Sequence, residues 1–218
     1  YVPTDTGFDE SMITIQGNDP LTPEVEAIQE GDGDVERWYS QTWLQEEIPV
    51  LDVLWVIDNS GSMNRFQTNL SLNIGSFMSA FAATGADYNM AVISTDNWNI
   101  GPIITQLSAD PEGELASQVM MGIYGSGMEK GVEMAAEALK DSSSAGPGGA
   151  FFRPDAKLVV IFVSDEPDHS SPGWSSYLTF FDTLKPVGDF VPYGVIGDYP
   201  GGCTISYPYG NAQFGAGL

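Results

Sequence analysis

One stretch of the sequence carries most of the information about the fold: Val50-Leu51-Asp52-Val53-Leu54-Trp55-Val56-Ile57-Asp58-Asn59-Ser60-Gly61-Ser62-Met63. Residues 53–57 form an unbroken apolar run, which is typical of a parallel-sheet strand that helices cover on both faces. Asp58, Ser60 and Ser62 alternate along the turn that leaves this strand, where open α/β sheets bind their ligands. A carboxylate and two hydroxyls are hard oxygen ligands, which suit Mg²⁺ or Ca²⁺ and not zinc or a softer metal. The stretch therefore predicts an α/β fold with a divalent-cation site.

At these residues the sequence resembles the von Willebrand factor A family, whose metal-ion-dependent adhesion site begins with Asp-x-Ser-x-Ser after the first strand. In that family a Thr five residues before a helix Gly, and an Asp after another apolar strand, complete the site. Here Ser126 lies five residues before Gly131, and Asp165 follows the apolar run 158–163. Serine in place of threonine keeps the hydroxyl and loses a methyl group. The resemblance covers about residues 49–196 and implies that one Mg²⁺ or Ca²⁺ is held by Asp58, Ser60, Ser62, Ser126 and Asp165.

The resemblance also implies a Rossmann-like α/β fold, with a mostly parallel central sheet, one antiparallel edge strand and helices on both faces. Apolar spacing over residues 63–81 predicts a long helix that ends near Gly85. Asp110 and Pro111 suit the N-cap and first position of a helix running to about Met121. Two later helices are expected, one marked by apolar positions within residues 132–139 and one that begins at Ser171-Pro172 and ends at Lys185-Pro186. Four more strands are expected, the second as the antiparallel edge: residues 88–94, 103–107, 158–163 and 190–196.

Three acidic residues near the predicted site keep open roles. Ser126 and Glu129 have the spacing of a capping box, in which both would satisfy the N-terminus of the following helix. Glu129 is also a candidate for a residue that supports the metal ligands from behind, or for a ligand that competes with them. Glu166 and Asp168 have three possible roles. They either belong to a solvated acidic loop, or shape the specificity for a partner, or hold a second ion.

The ends of the chain are less regular than its middle. Residues 1–33 are acidic and lack Lys and Arg, so composition favours a linker over an ordered arm, while residues 35–47 are expected to pack on the domain. We therefore divide the chain into an N-terminal extension, residues 1–48, and a von Willebrand A-type domain, residues 49–218. The Ser, Gly and Pro content of residues 141–154 predicts a long, mobile loop. Beyond Gly197 the family's last strand and helix are not evident, and an unfinished sheet edge would favour self-assembly.

Composition restricts the partners. Seven Lys and Arg against 30 Asp and Glu give a net charge of −23, which excludes nucleic acid as a partner. No run of about 18 apolar residues predicts a membrane span, and a lone cysteine, Cys203, permits no disulfide within the chain. The first residues resemble those of a processed chain. We expect an exported bacterial protein that is extracellular or on the cell surface.

The sequence bears on three classes of function. Catalysis is disfavoured because the only histidine, His169, lies in a loop and no other residue pattern supplies a general acid and base. Metal-dependent adhesion needs only the cation and an open coordination position, which the family resemblance implies is filled by a carboxylate of a protein partner. The alternative is a structural module of an extracellular or cell-surface assembly, in which the metal only orders loops. The sequence therefore predicts a binding protein that recognises an exposed Asp or Glu, and not an enzyme.

Overall fold

The computed structural model describes residues 8–16, 24–32, 48–197, 204–207 and 210–213. The chain divides into two compact units, Tyr1–Glu46 and Glu47–Leu218. In the first unit β1 (Phe8–Gln16) and β2 (Glu24–Asp32) pair in antiparallel fashion. Composition had favoured a linker here, and for these two ranges that expectation is wrong. The aromatic segment 35–47 lies outside the described residues.

The second unit is built on a five-stranded sheet. Its strands are β3 (Val50–Ile57), β4 (Asp87–Ser94), β5 (Ile104–Thr105), β6 (Lys157–Val163) and β7 (Phe190–Val195). The spatial order is β5-β4-β3-β6-β7, in which only β5 runs antiparallel to its neighbour. The predicted α/β fold, with a mostly parallel sheet and one antiparallel edge strand, is confirmed.

A short 3₁₀ turn and four helices connect these strands: the turn Gly61–Met63, α1 (Asn64–Ala82), α2 (Pro111–Gln118), α3 (Gly131–Lys140) and α4 (Trp174–Leu184). The predicted cap of α2 is confirmed, because the Asp110 carboxylate accepts a hydrogen bond of 3.0 Å from the backbone N–H of Gly113. The capping box at Ser126 is wrong. Helix α3 begins only at Gly131, and its N-cap residue is Lys130.

Helices cover both faces of the sheet, which explains why residues 53–57 are apolar without interruption. Alternate side chains of a strand point to opposite faces. Leu54 and Val56 pack with residues of α3 and α4, whereas Val53, Trp55 and Ile57 pack with residues of α1 and α2. Residues 53–57 of the central strand are therefore buried on both faces of the sheet.

The segment between α3 and β6 is anchored, which corrects the expectation of a mobile loop. Ala145 and Phe151 are fully buried in the core cluster on the α3 side. Arg153 forms ion pairs with Asp52 and with Asp87. Apolar anchors and a buried charge thus hold a segment whose Ser, Gly and Pro content resembles that of a free loop.

Beyond Gly197 the described residues form β8 (Thr204–Tyr207) and β9 (Gly210–Gln213), an antiparallel pair separate from the five-stranded sheet. In the part of the chain that the structure describes, no further strand pairs with β7. No helix among the described residues is both long and apolar enough to cross a membrane.

Candidate metal centre

Strand register brings three loops to one edge of the sheet. Ile57 at the end of β3 is level with Ser94 of β4 on one side and with Val163 of β6 on the other. Because these strands are parallel, the residues after them leave the sheet at the same edge. The predicted ligands that follow β3 and β6 are therefore placed close together.

Asp58 is fully buried at the end of β3, and hydrogen bonds hold both its backbone and its carboxylate. Its backbone N–H donates to the carbonyl of Val163 at 2.9 Å. Carboxylate oxygen Oδ1 accepts a hydrogen bond of 2.8 Å from the backbone N–H of Ser60, and Oδ2 accepts one of 2.6 Å from the Ser164 hydroxyl. These bonds fix the carboxylate before any ligand binds.

The two serines of the motif connect Asp58 to Asp165. The hydroxyls of Ser60 and Ser62 lie 3.1 Å apart, and Ser62 Oγ donates to Asp165 Oδ1 at 3.0 Å. Ser60 and Asp165 are buried, whereas Ser62 is exposed. The structure thus brings four of the five predicted ligands into one hydrogen-bonded group that is open to solvent on the Ser62 side.

Ser126, the fifth predicted ligand, lies beside this group without joining its hydrogen bonds. Its loop is attached to the first loop, because the backbone N–H of Gly125 donates to the carbonyl of Asn59 at 2.8 Å. A Cβ atom at Gly125 would lie 2.3 Å from Asn59 Oδ1, so only glycine fits this approach without a shift. The exposed Ser126 hydroxyl accepts a hydrogen bond of 3.0 Å from the backbone N–H of Met128.

Sequence reasoning missed Asp96, which joins the loops together. Its Oδ1 accepts hydrogen bonds from Ser94 Oγ at 2.8 Å and from Asn59 Nδ2 at 3.1 Å, and its Oδ2 accepts one from the backbone N–H of Ser126 at 3.1 Å. Burial opposes ionisation of this carboxylate, but the hydrogen bonds outweigh burial and lower its pKa. Asp96 therefore stays ionised and positions the loop that carries Ser126.

Gln67 was also missed, because it lies within the apolar stripe of α1. Its buried side-chain amide donates to the carbonyls of Asp58 and Gly122, each at 2.8 Å, and its Oε1 accepts from the backbone N–H of Gly122 at 3.1 Å. Gly122 has a φ of +87°, a conformation that glycine adopts most readily. The sequence did contain a signal for these contacts, because Gln67 is a polar residue among the apolar positions of α1.

Glu129 points into the site instead of towards the start of α3. Only 2% of it is exposed, and its Oε2 accepts a hydrogen bond of 2.5 Å from the Thr95 hydroxyl. No described residue hydrogen-bonds to its Oε1. Burial, and then the charges of Asp58 and Glu166, raise the pKa of Glu129 to about 7 against the effect of Thr95.

Glu166 and Asp168, whose roles the sequence left open, differ in their surroundings. Burial, followed by the charge of Asp58, raises the pKa of Glu166, which places its carboxylate in the field of the site. Asp168 instead caps α3: its Oδ1 accepts hydrogen bonds from the backbone N–H of Val132 at 3.3 Å and from Ser170 Oγ at 3.0 Å. We therefore assign Asp168 a structural role.

The charge balance of the site fits a cation. Burial, with the charges of Asp58 and Glu166, raises the pKa of Asp165 to about 6. Among the described residues none of the five ion pairs involves Asp58, Glu129, Asp165 or Glu166. The described part of the chain holds no group of three or more His, Cys, Asp or Glu side chains placed to bind a metal. The donor set that remains is two carboxylates and neighbouring hydroxyls, which suits a hard divalent cation.

Without cation, the protein is expected to be more stable at about pH 5.5 than at about pH 8. Because folding raises the pKa values of Glu129 and Asp165, the folded state holds their protons more tightly. The resulting stabilisation is present at low pH and is lost as the pH rises through about 6 to about 7. At about 1.4 kcal/mol for each unit of pKa difference, the change amounts to a few kcal/mol. Urea unfolding in chelator across this range measures it.

Asp165→Asn is the matched variant for this measurement and should reduce the dependence to the part that Glu129 contributes. Stability that rises with pH in chelator would contradict the expectation. Saturating Mg²⁺ or Ca²⁺ should reverse the trend in the wild-type protein, because the cation competes with protons for the same carboxylates.

No family model matches the chain, and no curated protein matches its sequence. Solved structures that are similar to this chain have low TM-scores, and three of them serve as examples. Proximal thread matrix protein 1 from the mussel byssus is 12% identical, with 67% of this chain and 38% of that chain covered and a TM-score of 0.43. The same protein with a zinc-occupied metal-ion-dependent adhesion site is 12% identical, with 69% of this chain and 39% of that chain covered and a TM-score of 0.40.

The third structure is the von Willebrand factor type A protein from Catenulispora acidiphila, at 13% identity and a TM-score of 0.40, with 87% of this chain and 40% of that chain covered. This chain thus spans about two fifths of the length of these proteins. The molecule's own strand order and loops define its class: an α/β domain with an open, mostly parallel sheet and oxygen-rich loops at its carboxyl edge.

Proposed function

We propose that this domain binds Mg²⁺ or Ca²⁺ and uses the cation to bind a protein partner that presents an exposed Asp or Glu. One observation carries the proposal: hydrogen bonds link the Asp58 carboxylate to the backbone N–H of Ser60, the Ser60 hydroxyl to the Ser62 hydroxyl, and the Ser62 hydroxyl to the Asp165 carboxylate. The two carboxylates balance the charge of a divalent ion, and the hydroxyls add neutral oxygens. The proposed ligand set is Asp58, Ser60, Ser62, Ser126 and Asp165.

The residues of this set have different parts in the proposed site. Asp58 and Asp165 provide buried negative charge, which fixed hydrogen bonds hold in place. Ser62 and Ser126 are exposed, so they lie on the side from which a partner approaches. When bound, the cation supplies a coordination position for an anionic oxygen of the partner.

Exposed apolar side chains beside Ser126 support a protein partner. Tyr124 is 98% exposed and Met128 is 59% exposed. Each lies two residues from Ser126, and two residues of extended chain span at most about 7 Å. Aromatic residues and Met are enriched in protein interfaces. A partner that reaches the cation is therefore expected to contact these two side chains as well.

We propose binding and not catalysis for this site. His169 is exposed, and its backbone N–H donates to the carbonyl of Glu129 at 2.6 Å, which gives the residue a place in the loop structure. An extracellular or cell-surface location suits the proposal, because extracellular calcium modules bind their ions at about 10⁻⁴–10⁻³ M.

Asp58→Asn is expected to abolish cation binding while the domain stays folded. The substitution keeps the shape of the side chain and removes one of the two charges that the ion requires. We expect a loss of at least about 100-fold in affinity for Mg²⁺ and Ca²⁺, beyond the 10–100-fold that residues around a metal's ligands contribute. Isothermal titration calorimetry with each metal measures the loss of affinity, and circular dichroism shows whether the domain stays folded.

Asp110→Asn is the matched control, because it also removes one carboxylate and Asn is as good an N-cap as Asp. That variant should bind the cation like the wild type. If Asp58→Asn retained wild-type affinity, or if the wild type bound neither metal at millimolar concentration, the proposed site would be refuted.

A peptide that binds the cation-loaded domain is expected to depend on one Asp or Glu. Peptides selected from a displayed library in millimolar Ca²⁺ and Mg²⁺ should lose binding in chelator. Replacing the critical Asp by Asn, or Glu by Gln, should weaken binding by at least about 10-fold, since an ion-bound carboxylate is worth more than about 1.4 kcal/mol.

The same measurement separates adhesion from the structural alternative. Peptides that need the cation but tolerate every Asp→Asn and Glu→Gln change would show that the ion only orders the loops. Tyr124→Ala should weaken peptide binding without changing the affinity for the cation itself.

A further inference from the structure

A cavity of about 340 Å³ opens directly beside the candidate metal centre. Helix α1 forms one of its walls, and the ends of β6 and β7 with the residues after them form the other. Its lining is mainly apolar and includes the side chains of Met63, Phe66, Leu70, Val163, Val195 and Ile196. Ligand pockets in proteins have volumes of about 300–1,000 Å³, so this cavity has the size of a small binding pocket.

The register of the sheet explains why the walls of this cavity are apolar. Val195 of β7 is level with Val163 of β6, which belongs to the core cluster on the α1 side. Tyr193, two residues earlier on β7, points to the same face. Helix α4 packs on the opposite face, where Phe190 stacks on Phe181 with ring centroids 4.8 Å apart. Tyr193 and Val195 remain 58% and 56% exposed, so the α1 side of β7 presents apolar side chains to solvent.

The cavity and the metal centre share residues. Asp165 and Ser164 both line the cavity. Asp165 also accepts the hydrogen bond from Ser62 Oγ, and Ser164 donates to the Asp58 carboxylate. Met63, another lining residue, directly follows Ser62. A partner whose carboxylate reaches the cation therefore stands at the mouth of this cavity.

Charge and size decide which group of the partner enters the cavity. Asp165 is the only charged side chain among the described residues that line it, so a second carboxylate of the partner would be repelled. An uncharged apolar side chain would instead leave water and pack against the apolar walls. Protein interfaces are commonly anchored by one such large side chain in a pocket. Two copies of this chain repel each other, because each carries a net charge of −23.

We propose that this cavity is a specificity pocket that takes one large apolar side chain of the partner, a Leu, Met, Phe or Trp close in sequence to the Asp or Glu that reaches the cation. The proposal rests on the proposed function and deepens it, because it names a second feature of the partner. The cation selects for an acidic residue, and the pocket selects among acidic segments for one with a large apolar neighbour. Binding of the cation itself does not depend on the pocket.

Alanine scanning of cation-dependent peptides tests the feature predicted for the partner. The probes are peptides selected from a displayed library in millimolar Ca²⁺ and Mg²⁺, which lose binding in chelator and on replacement of their Asp or Glu. Within about three residues of that acid, a span of at most about 11 Å, one large apolar residue should be required. Its replacement by alanine should weaken binding by at least about 10-fold. Peptides that tolerate alanine at all of these positions overturn the proposal and leave the proposed function standing.

Val195→Phe tests the same pocket from the side of the protein. The larger side chain fills part of the cavity, and an aromatic residue suits a strand. Affinity for the parent peptide should fall by at least about 10-fold, whereas affinity for the alanine-substituted peptide and for Ca²⁺ should stay as in the wild type. Val187→Phe is the matched control, because Val187 is exposed and lies outside the lining of the cavity. Unchanged affinity of Val195→Phe for the parent peptide overturns the proposal.

The methyl signal of Met63 in NMR spectra of the wild-type protein covers the case in which Val195→Phe does not fold. Met63 is 1% exposed and lines the cavity. In Ca²⁺ the parent peptide should shift this signal, and the alanine-substituted peptide should shift it less. A signal that the parent peptide leaves unchanged shows that another segment of the chain fills the cavity, and overturns the proposal.

Two further outcomes concern other occupants and the proposed function itself. Dimerisation of the wild type that Val195→Phe abolishes assigns the cavity to a second copy of the chain and overturns the proposal. A wild type that binds neither metal, or a library that yields no cation-dependent peptide, refutes the proposed function and the specificity pocket with it.

Discussion

Replacing Arg153 with alanine is expected to destabilise the domain by about 3–5 kcal/mol, because it leaves the buried carboxylate of Asp52 without its counter-charge. Asp52 is fully buried at the start of β3. Its Oδ2 accepts a hydrogen bond of 2.6 Å from the backbone N–H of Arg153, and its Oδ1 accepts one of 2.8 Å from Nε of the guanidinium. Burial raises the pKa of Asp52 even though both Arg153 bonds lower it. Urea unfolding measures the loss.

The guanidinium also serves neighbouring groups, which makes the position specific for arginine. Nη1 donates to Asp87 Oδ1 and Nη2 to the carbonyl of Leu51, each at 2.7 Å. Lys185 donates to the carbonyl of Arg153 and lies 4.0 Å from the ring centre of Phe152. Arg153→Lys keeps the charge but cannot reproduce this fork, so it should fall between wild type and alanine.

The double variant Asp52→Val, Arg153→Ala provides the control for the charge. It removes the buried carboxylate together with its partner, and it should be more stable than Arg153→Ala alone. If the single variant lost less than about 1 kcal/mol, Asp52 would not depend on this ion pair, and the anchoring of the segment before β6 would need another cause.

Sequence periodicity was sufficient for the elements that bury an apolar face. The run 53–57 marks β3, and the apolar repeat over residues 63–81 marks α1 within a few residues. These patterns are local, so one segment contains all the information needed. The α/β class and the antiparallel edge strand β5 were also predicted correctly, but the direction of β5 came from the family resemblance and not from a local pattern.

Contacts between distant positions of the sequence could be predicted only where a family pattern relates the two positions. Ser62 and Asp165 are separated by 103 residues, and Arg153 and Asp52 by 101. Motif spacing placed Ser62 and Asp165 together through a family pattern, but the ion pair has no such pattern. Only strand register decides that the loop before β6 meets the start of β3.

Local patterns also misled in two places. Ser126 and Glu129 have capping-box spacing, yet the inward turn of Glu129 towards Thr95 and Asp58 prevents that use. In the N-terminal region, Ile13 and Ile15 alternate with polar residues over a short length, and the acidic composition concealed this strand signal. The register pairs these two positions with Ala27 and Val25 of β2.

Trp55→Ala is expected to destabilise the domain by about 3–5 kcal/mol, the range for an aromatic side chain truncated in a core. Trp55 is 3% exposed and lies on the central strand, level with Val92 of β4 and Ile161 of β6. Its ring meets Phe77 of α1 edge to face, with centroids 5.3 Å apart and an interplanar angle of 82°. The melting temperature should fall by roughly 6–20 °C, since 1 kcal/mol corresponds to about 2–4 °C in a domain of this size.

Trp55→Phe is the matched variant, because it keeps an aromatic ring against Phe77 and removes only part of the buried area. The indole N–H of Trp55 has no hydrogen-bond partner among the described residues. Phenylalanine therefore removes an unsatisfied donor together with some packing, and the two effects partly offset each other. We expect a loss below about 2 kcal/mol, at the low end of the range for changes in core packing.

Equal losses for the two variants would mean that the indole N–H is hydrogen-bonded in solution. A loss below about 1 kcal/mol for Trp55→Ala would mean that α1 does not pack on this face of β3.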